Sequence, residues 1–303
     1  MISRNKYRDL LWIDAERPTH EEIRGLMEEF DIHPIVADEL LTPSLRPKVD
    51  HYENFIYLIL HFPAIRHSHS NVSQEVDFII GKKFIITVRY ELLDPLHKFS
   101  KVFEVNSILD KSDIGEHAGF LFFYMIRKIY SSLQHELSII GERLKDVEDR
   151  IFSGQERAMV QSLSNTHRDL LAFHRAMRLH KPVLSSLGVA CEEFYGKDFR
   201  HYTDNIVGEY YKVDELLEDQ KEVLNDLRST NDSLLSNKTN EIMKALTATT
   251  FLMLPSTLIA QIFSMQTQNI PIINQPYSFY IIIGLMLGVA FCTFIFFRSK
   301  KWL

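Results

Sequence analysis

Between Asn240 and Ser264 the sequence places uncharged polar residues at spacings that a helix brings onto one face. Advancing about 100° per residue puts Asn240, Thr247, Leu254 and Gln261 near one line, with Met243, Thr250, Thr257 and Ser264 beside it, all within about 120°. Six of these eight residues are amides or hydroxyls, while the opposite face carries Ala245, Leu252, Ile259 and Phe263. Amide and hydroxyl oxygens are hard donors able to hold a hydrated divalent cation. The same groups also serve as hydrogen-bonding glue between two helices. A seam and a pore are both open on the stripe alone, and a pore needs several copies in a ring with this helix innermost.

The surroundings of the stripe restrict it further. "ALTATTFLMLPSTLIAQIFSM" (245–265) and "SFYIIIGLMLGVAFCTFIFF" (278–297) are charge-free runs of about 20 residues, the length that spans a bilayer as a helix. In lipid such a polar stripe has no partner, so it faces protein or water. Residues 266–277 join the two runs, which is room only for a tight hairpin. Lys238 and Lys244 precede the first run and "RSKKWL" follows the second, so the positive-inside rule places both termini in the cytoplasm of a two-pass inner (plasma) membrane protein. "MISRNKYRDLLWID" has no long apolar core of a signal peptide.

All 40 Asp and Glu residues lie at or before Glu241, and of the 34 Lys and Arg only Lys244, Arg298, Lys300 and Lys301 follow it. The soluble body is therefore acidic, which argues against nucleic acid as a partner. Cys191 and Cys292 sit in a reducing compartment and offer no disulfide framework.

Within the body, residues 1–115 read as an α/β domain. "NFIYLILHF" (54–62), "EVDFIIG" (75–81) and "KFIITVRY" (83–90) are β-branched and aromatic runs of strand length, with "GKK" as a hairpin signal, and "PTHEEIRGLMEEF" reads as a helix. Residues 116–203 read as an antiparallel helix pair, 116–152 and 156–187, broken at "SGQ". A third helix begins near Asp204. With no Gly or Pro between Gly208 and Pro255, it continues through a cytoplasmic stalk (204–244) into the membrane hairpin (245–303), a span of roughly 90 Å.

Other groups carry weaker chemistry. His61 and "RHSHS" lack a third metal ligand, and His167 and His174 read as surface residues. Asp214, Glu215, Glu218, Asp219, Glu222 and Asp226 on the stalk either concentrate cations or form a solvated face. No nucleophile, paired acid and base, or phosphate loop is present, so the sequence does not read as an enzyme.

"SNKTNEIMKALTATTFLMLPSTLIAQIFSM" with terminal "KKWL", and "FDIHPIVADELLTPSLRPKVDHYENFIYLIL" with "VDFIIGKKFIITVRY", resemble the CorA family of magnesium channels over nearly the whole chain. The resemblance implies a funnel-shaped homopentamer in the lipid bilayer, with an inner pore helix, an outer second helix and no covalent cofactor. It implies that the transported ion is Mg²⁺, with Zn²⁺, Co²⁺ or Ni²⁺ as the alternatives. It places the pore asparagine at Asn240, hydrophobic gate positions at Met243, Leu246 and Leu254, and a pore threonine at Thr257. The family's Gly-Met-Asn entrance falls on Ser264, Met265 and Gln266, a departure at two of three positions. A regulatory metal site between neighbouring subunits falls on Asp38 or Glu39 and on His201, Asp204 or Asn205. A histidine there favours zinc or nickel over magnesium. The altered entrance also leaves open a non-conducting relative that senses metal or scaffolds partners.

Overall fold

The computed structural model describes residues 2–7, 9–63, 74–90, 116–265 and 277–299. The expectations for "RHSHS", for Gln266 and for the hairpin connection fall outside them. By its contacts the chain divides into two units, Met1–Arg228 and Ser229–Leu303.

The first unit is built on a six-stranded mixed sheet. Its strands are β1 (Ile2–Tyr7), β2 (Leu10–Glu16), β3 (Lys48–His51), β4 (Phe55–Phe62), β5 (Gln74–Gly81) and β6 (Phe84–Arg89), in the order β1-β2-β6-β5-β4-β3. Only β2 and β6 run parallel, with Ile13 opposite Ile86; the other neighbours are antiparallel. β5 is buried along its whole length. Both sheet faces are covered, so Glu75 and Asp77 are buried on this strand along with Val76, Phe78, Ile79 and Ile80.

Helices α1 (His20–Phe30) and α2 (Pro34–Glu39) cover one face, packing Ile23, Leu26, Val36 and Leu40 on Ile13, Tyr57, Ile79 and Ile86. A reciprocal capping box fixes the start of α1: Glu22 N–H donates to Thr19 Oγ1 at 3.2 Å and Thr19 N–H to Glu22 Oε2 at 2.8 Å. The other face meets α3 (Ala118–Phe152) and α5 (His180–Tyr195), where Phe78 packs edge-on to Phe122 and Phe62 lies against Tyr130 and His180. The expected 1–115 and 116–203 segments thus share one core.

Three α-helices, not a pair, lie between residue 116 and the long helix that begins at Arg200. α3 and α4 (Glu156–Met177) are joined through Gly154 in a left-handed conformation (φ 91°) and linked by Arg143–Asp169 at 2.8 Å. The expected helix 156–187 breaks at Arg178–Leu179, and α5 begins at His180. The cause is Pro182, which has no N–H and whose ring would clash with the carbonyl of Arg178 in an unbroken helix. α5 ends at Gly196 (φ 97°), and after a short 3₁₀ turn α6 (Arg200–Ser264) starts four residues before the expected Asp204 and runs through Pro255. α7 (Ser278–Ser299) follows the undescribed connection.

Candidate functional site: the outward line of α6

The C-terminal part of α6 and the whole of α7 are long and apolar enough to cross a membrane. Between Glu241 and Met265, Ala248 is buried and Leu252, Pro255, Ser256, Ile259 and Phe263 are half-buried; every other residue is exposed. These six positions form one helical face. It meets α7, where Ser256 Oγ donates to the Met286 carbonyl at 3.3 Å and the Phe251 and Phe297 rings lie 6.2 Å apart.

That seam is centred about 180° from the polar line when α6 is projected along its axis. Asn240, Met243, Leu246, Thr247, Thr250, Leu254, Thr257, Gln261 and Ser264 are all exposed. Of the stripe's hydroxyls, Thr250 Oγ1 donates to the Leu246 carbonyl at 2.9 Å and Thr257 Oγ1 to the Leu254 carbonyl at 2.8 Å. Those bonds use the hydroxyl proton and leave acceptor lone pairs free. The hydroxyl that does bridge the hairpin, on Ser256, is not in the stripe. Sequence reasoning missed Ala248 and Ser256 as seam residues; the available signal was that both are small and lie on the face opposite the polar line, where helices approach closely.

Ser264 is the last residue of α6, and Met265 N–H still donates to the Ile262 carbonyl at 3.3 Å, so the helical turn persists through Ser264 and Met265, the first two positions expected to form the entrance. Gln266 lies outside the described residues. Met243, Leu246 and Leu254 interrupt the polar line with apolar side chains, which in a ring of copies would form a dewetting constriction.

The proposed regulatory residues are distributed differently. Asp38 is exposed, whereas Glu39 is half-buried and pairs with Lys48 Nζ at 2.7 Å; the same ammonium holds Asp50 at 2.8 Å. His201 and Asp204 are exposed on α6, with His201 Nε2 3.2 Å from Asn205 Nδ2. Among the described residues of one chain, no three His, Cys, Asp or Glu side chains are grouped to hold a metal.

A buried polar cluster on the α1/α2 face of the sheet was not anticipated. His61 Nε2 lies 3.0 Å from Glu75 Oε2 and 3.0 Å from the Ser44 carbonyl, and Tyr90 donates to Asp77 Oδ2 at 3.2 Å. Burial, then the neighbouring Glu75 carboxylate, push the Asp77 carboxyl well above the usual range. The signal was present in "EVDFIIG": two acids two apart in a strand share one face.

Comparison with known proteins fits this architecture. The chain is 24% identical over 300 residues to the cobalt/magnesium transport protein CorA of Thermotoga maritima, covering 96% of this chain and 85% of that one. It is 23% identical to the protein of the same name from Methanocaldococcus jannaschii, covering 100% and 94%. The complete structure of the M. jannaschii CorA magnesium transporter superposes with a TM-score of 0.84 at 20% identity, over 100% of this chain and 98% of that one, and so has the same fold. The full-length CmaX protein follows with a TM-score of 0.75 at 18% identity, over 97% and 89%. The family described as CorA-like Mg²⁺ transporter protein, whose members are transporters and not enzymes, matches residues 7–301, and the chain belongs to it.

Proposed function

We propose that copies of this chain assemble around the outward line of α6 into a membrane pore for divalent cations, Mg²⁺ first. The observation that carries this reading is the position of the line: α7 covers the opposite face, which leaves amides and hydroxyls uncovered along a charge-free span. Lipid cannot satisfy them, so they face water or another copy. One hairpin encloses no water path. A ring of five, with α6 inside and α7 outside, is the assembly that resemblance to the family implies. Permeation is passive, down the membrane potential. The acidic body and both termini lie on the cytoplasmic side of the inner (plasma) membrane, as the flanking Lys and Arg require.

The entrance supports a second reading of ion preference. Ser264 and Gln266 stand where the family has Gly and Asn, and relatives named for both cobalt and magnesium make Co²⁺, with Ni²⁺ and Zn²⁺, the alternative cargo. Reconstitution tests both points. The detergent-solubilised particle is expected to have the mass of five chains, and liposomes containing it to take up Mg²⁺ under an inside-negative potential. A monomer or dimer would remove the ring. Flux equal to that of empty liposomes for Mg²⁺, Co²⁺, Ni²⁺ and Zn²⁺ alike would leave a metal-sensing or scaffolding role.

A further inference from the structure

We propose that the Gln261 amide, repeated around the pore, holds the passing cation through its water shell and sets which divalent ions the channel prefers. This rests on the pore reading of α6. Along the outward line, the Thr250 and Thr257 hydroxyl protons are committed to the helix's own carbonyls. Gln261 differs. Its side chain is exposed and has no hydrogen-bond partner among the described residues, and it points away from the Ala248–Phe263 seam with α7. It is also the longest polar side chain between Lys244 and Ser264. An amide with two donors and an acceptor is costly to leave in hydrocarbon, so its position on this line calls for water or a solute beside it.

The neighbours of Gln261 define the ligand chemistry. Thr257 lies four residues before it and Ser264 three after, which is an axial rise of about 6 and 4.5 Å respectively. Mg²⁺ holds its waters at about 2.1 Å and sheds them reluctantly, so opposite oxygens of its octahedral shell lie about 4 Å apart. That separation is close to one helical turn. A single hydrated ion therefore hydrogen-bonds to the amide ring and to an adjacent hydroxyl ring together. A neutral amide accepts from the shell's water protons but competes poorly with those waters for the metal. The site thus favours small divalent ions that keep their shell over Ca²⁺, which is larger and takes oxygen ligands directly in flexible geometry.

The test uses full-length wild type, Gln261→Ala, Gln261→Asn and Gln261→Glu, each checked for particle mass and reconstituted for Mg²⁺ and Ca²⁺ flux measured separately. Gln261→Ala is expected to keep its mass and to conduct, with the Mg²⁺-to-Ca²⁺ flux ratio reduced about tenfold, the scale of one lost hydrogen bond. Gln261→Asn keeps the amide and is expected to retain the ratio within about twofold. Gln261→Glu adds a ring of charge at the same length and is expected to lower the half-saturating Mg²⁺ concentration. A conducting wild type with an unchanged ratio in Gln261→Ala overturns the assignment alone. Loss of assembly in Gln261→Ala also overturns it, because the amide would then be a seam between copies. A wild type without flux ends the pore reading itself.

Discussion

His180 shows how one buried side chain couples stability to pH. Its Nε2–H donates to the His61 carbonyl at 2.7 Å and its Nδ1 accepts from the Tyr130 hydroxyl at 2.8 Å, so the neutral ring is fully used. Burial lowers its pKa to about 4, and burial followed by the nearby Lys83 charge lowers His117 to about 4 as well. In the unfolded chain both rings take up a proton near pH 6.5. Between about 6.5 and 4 the unfolded state binds more protons, so stability falls as pH falls through that window. His61 has the opposite sign. Burial alone would lower its pKa, but the hydrogen bonds to Glu75 and to the Ser44 carbonyl raise it, so its contribution is complete below about 6.5 and fades above. Unfolding followed by denaturant titration from pH 7 to pH 5 is expected to show declining stability, and His180→Gln to flatten that slope by about 1 kcal/mol per pH unit. An unflattened slope would assign the dependence elsewhere. At the proposed entrance, Ser264→Gly with Gln266→Asn introduces a flexible backbone position and a shorter amide. The pair is expected to raise Mg²⁺ uptake relative to Co²⁺ and Ni²⁺ by more than the two single changes combined, read by competition flux.

At the scale of elements, what the sequence disclosed depended on whether the pattern was local. β4, β5 and β6 were legible because each is rich in β-branched and aromatic residues over a strand's length, and the β5–β6 turn because Gly81, Lys82 and Lys83 stand at the junction of two such runs. β1, β2 and β3 were not. "ISRNKY" is an edge strand with polar side chains, β3 has four residues, and β2 finds its partner β6 more than 70 residues away, a pairing no local pattern encodes. The break at Arg178 was legible in Pro182 and overlooked in favour of the apolar periodicity around it. The outward line of α6 followed from the helical period alone. Its relation to α7 did not, because which face of α6 the second helix covers depends on packing around Ala248. Ala248 is only 2% exposed, so Ala248→Leu inserts three carbons into a closed seam. Overpacking of this kind costs about 1–3 kcal/mol, expected as a lower thermal midpoint in detergent. The exposed neighbour Thr249→Leu is the control and is expected to leave the midpoint nearly unchanged. Equal shifts in the two variants would mean that α7 does not close on Ala248.

On the scale of the whole molecule, the orientation proposed from the separation of charge is open to direct test. Every carboxylate lies at or before Glu241, and the apolar spans are bracketed by Lys238 and Lys244 on one side and by Arg298, Lys300 and Lys301 on the other. Translocating either bracket would carry several cations across the bilayer, so the proposed orientation keeps both brackets inside and puts Tyr277 on the outer side. The native cysteines interfere little. The Cys191 thiol is buried, which pushes its pKa up to about 12 and keeps it from forming the reactive thiolate. Cys292 lies within the apolar part of α7 and is replaced by Ala in the test. On that background, Tyr277→Cys at the exposed start of α7 is expected to react with a membrane-impermeant maleimide added to intact cells. Glu148→Cys, on the exposed side of α3, is expected to react only after the membrane is opened. Labelling of Glu148→Cys in intact cells would put the acidic body outside, where the membrane potential drives cations away from the stalk side rather than toward it. The flanking Lys and Arg would then have failed to orient the chain, and inward passive permeation from the Ser264 end would fail with them.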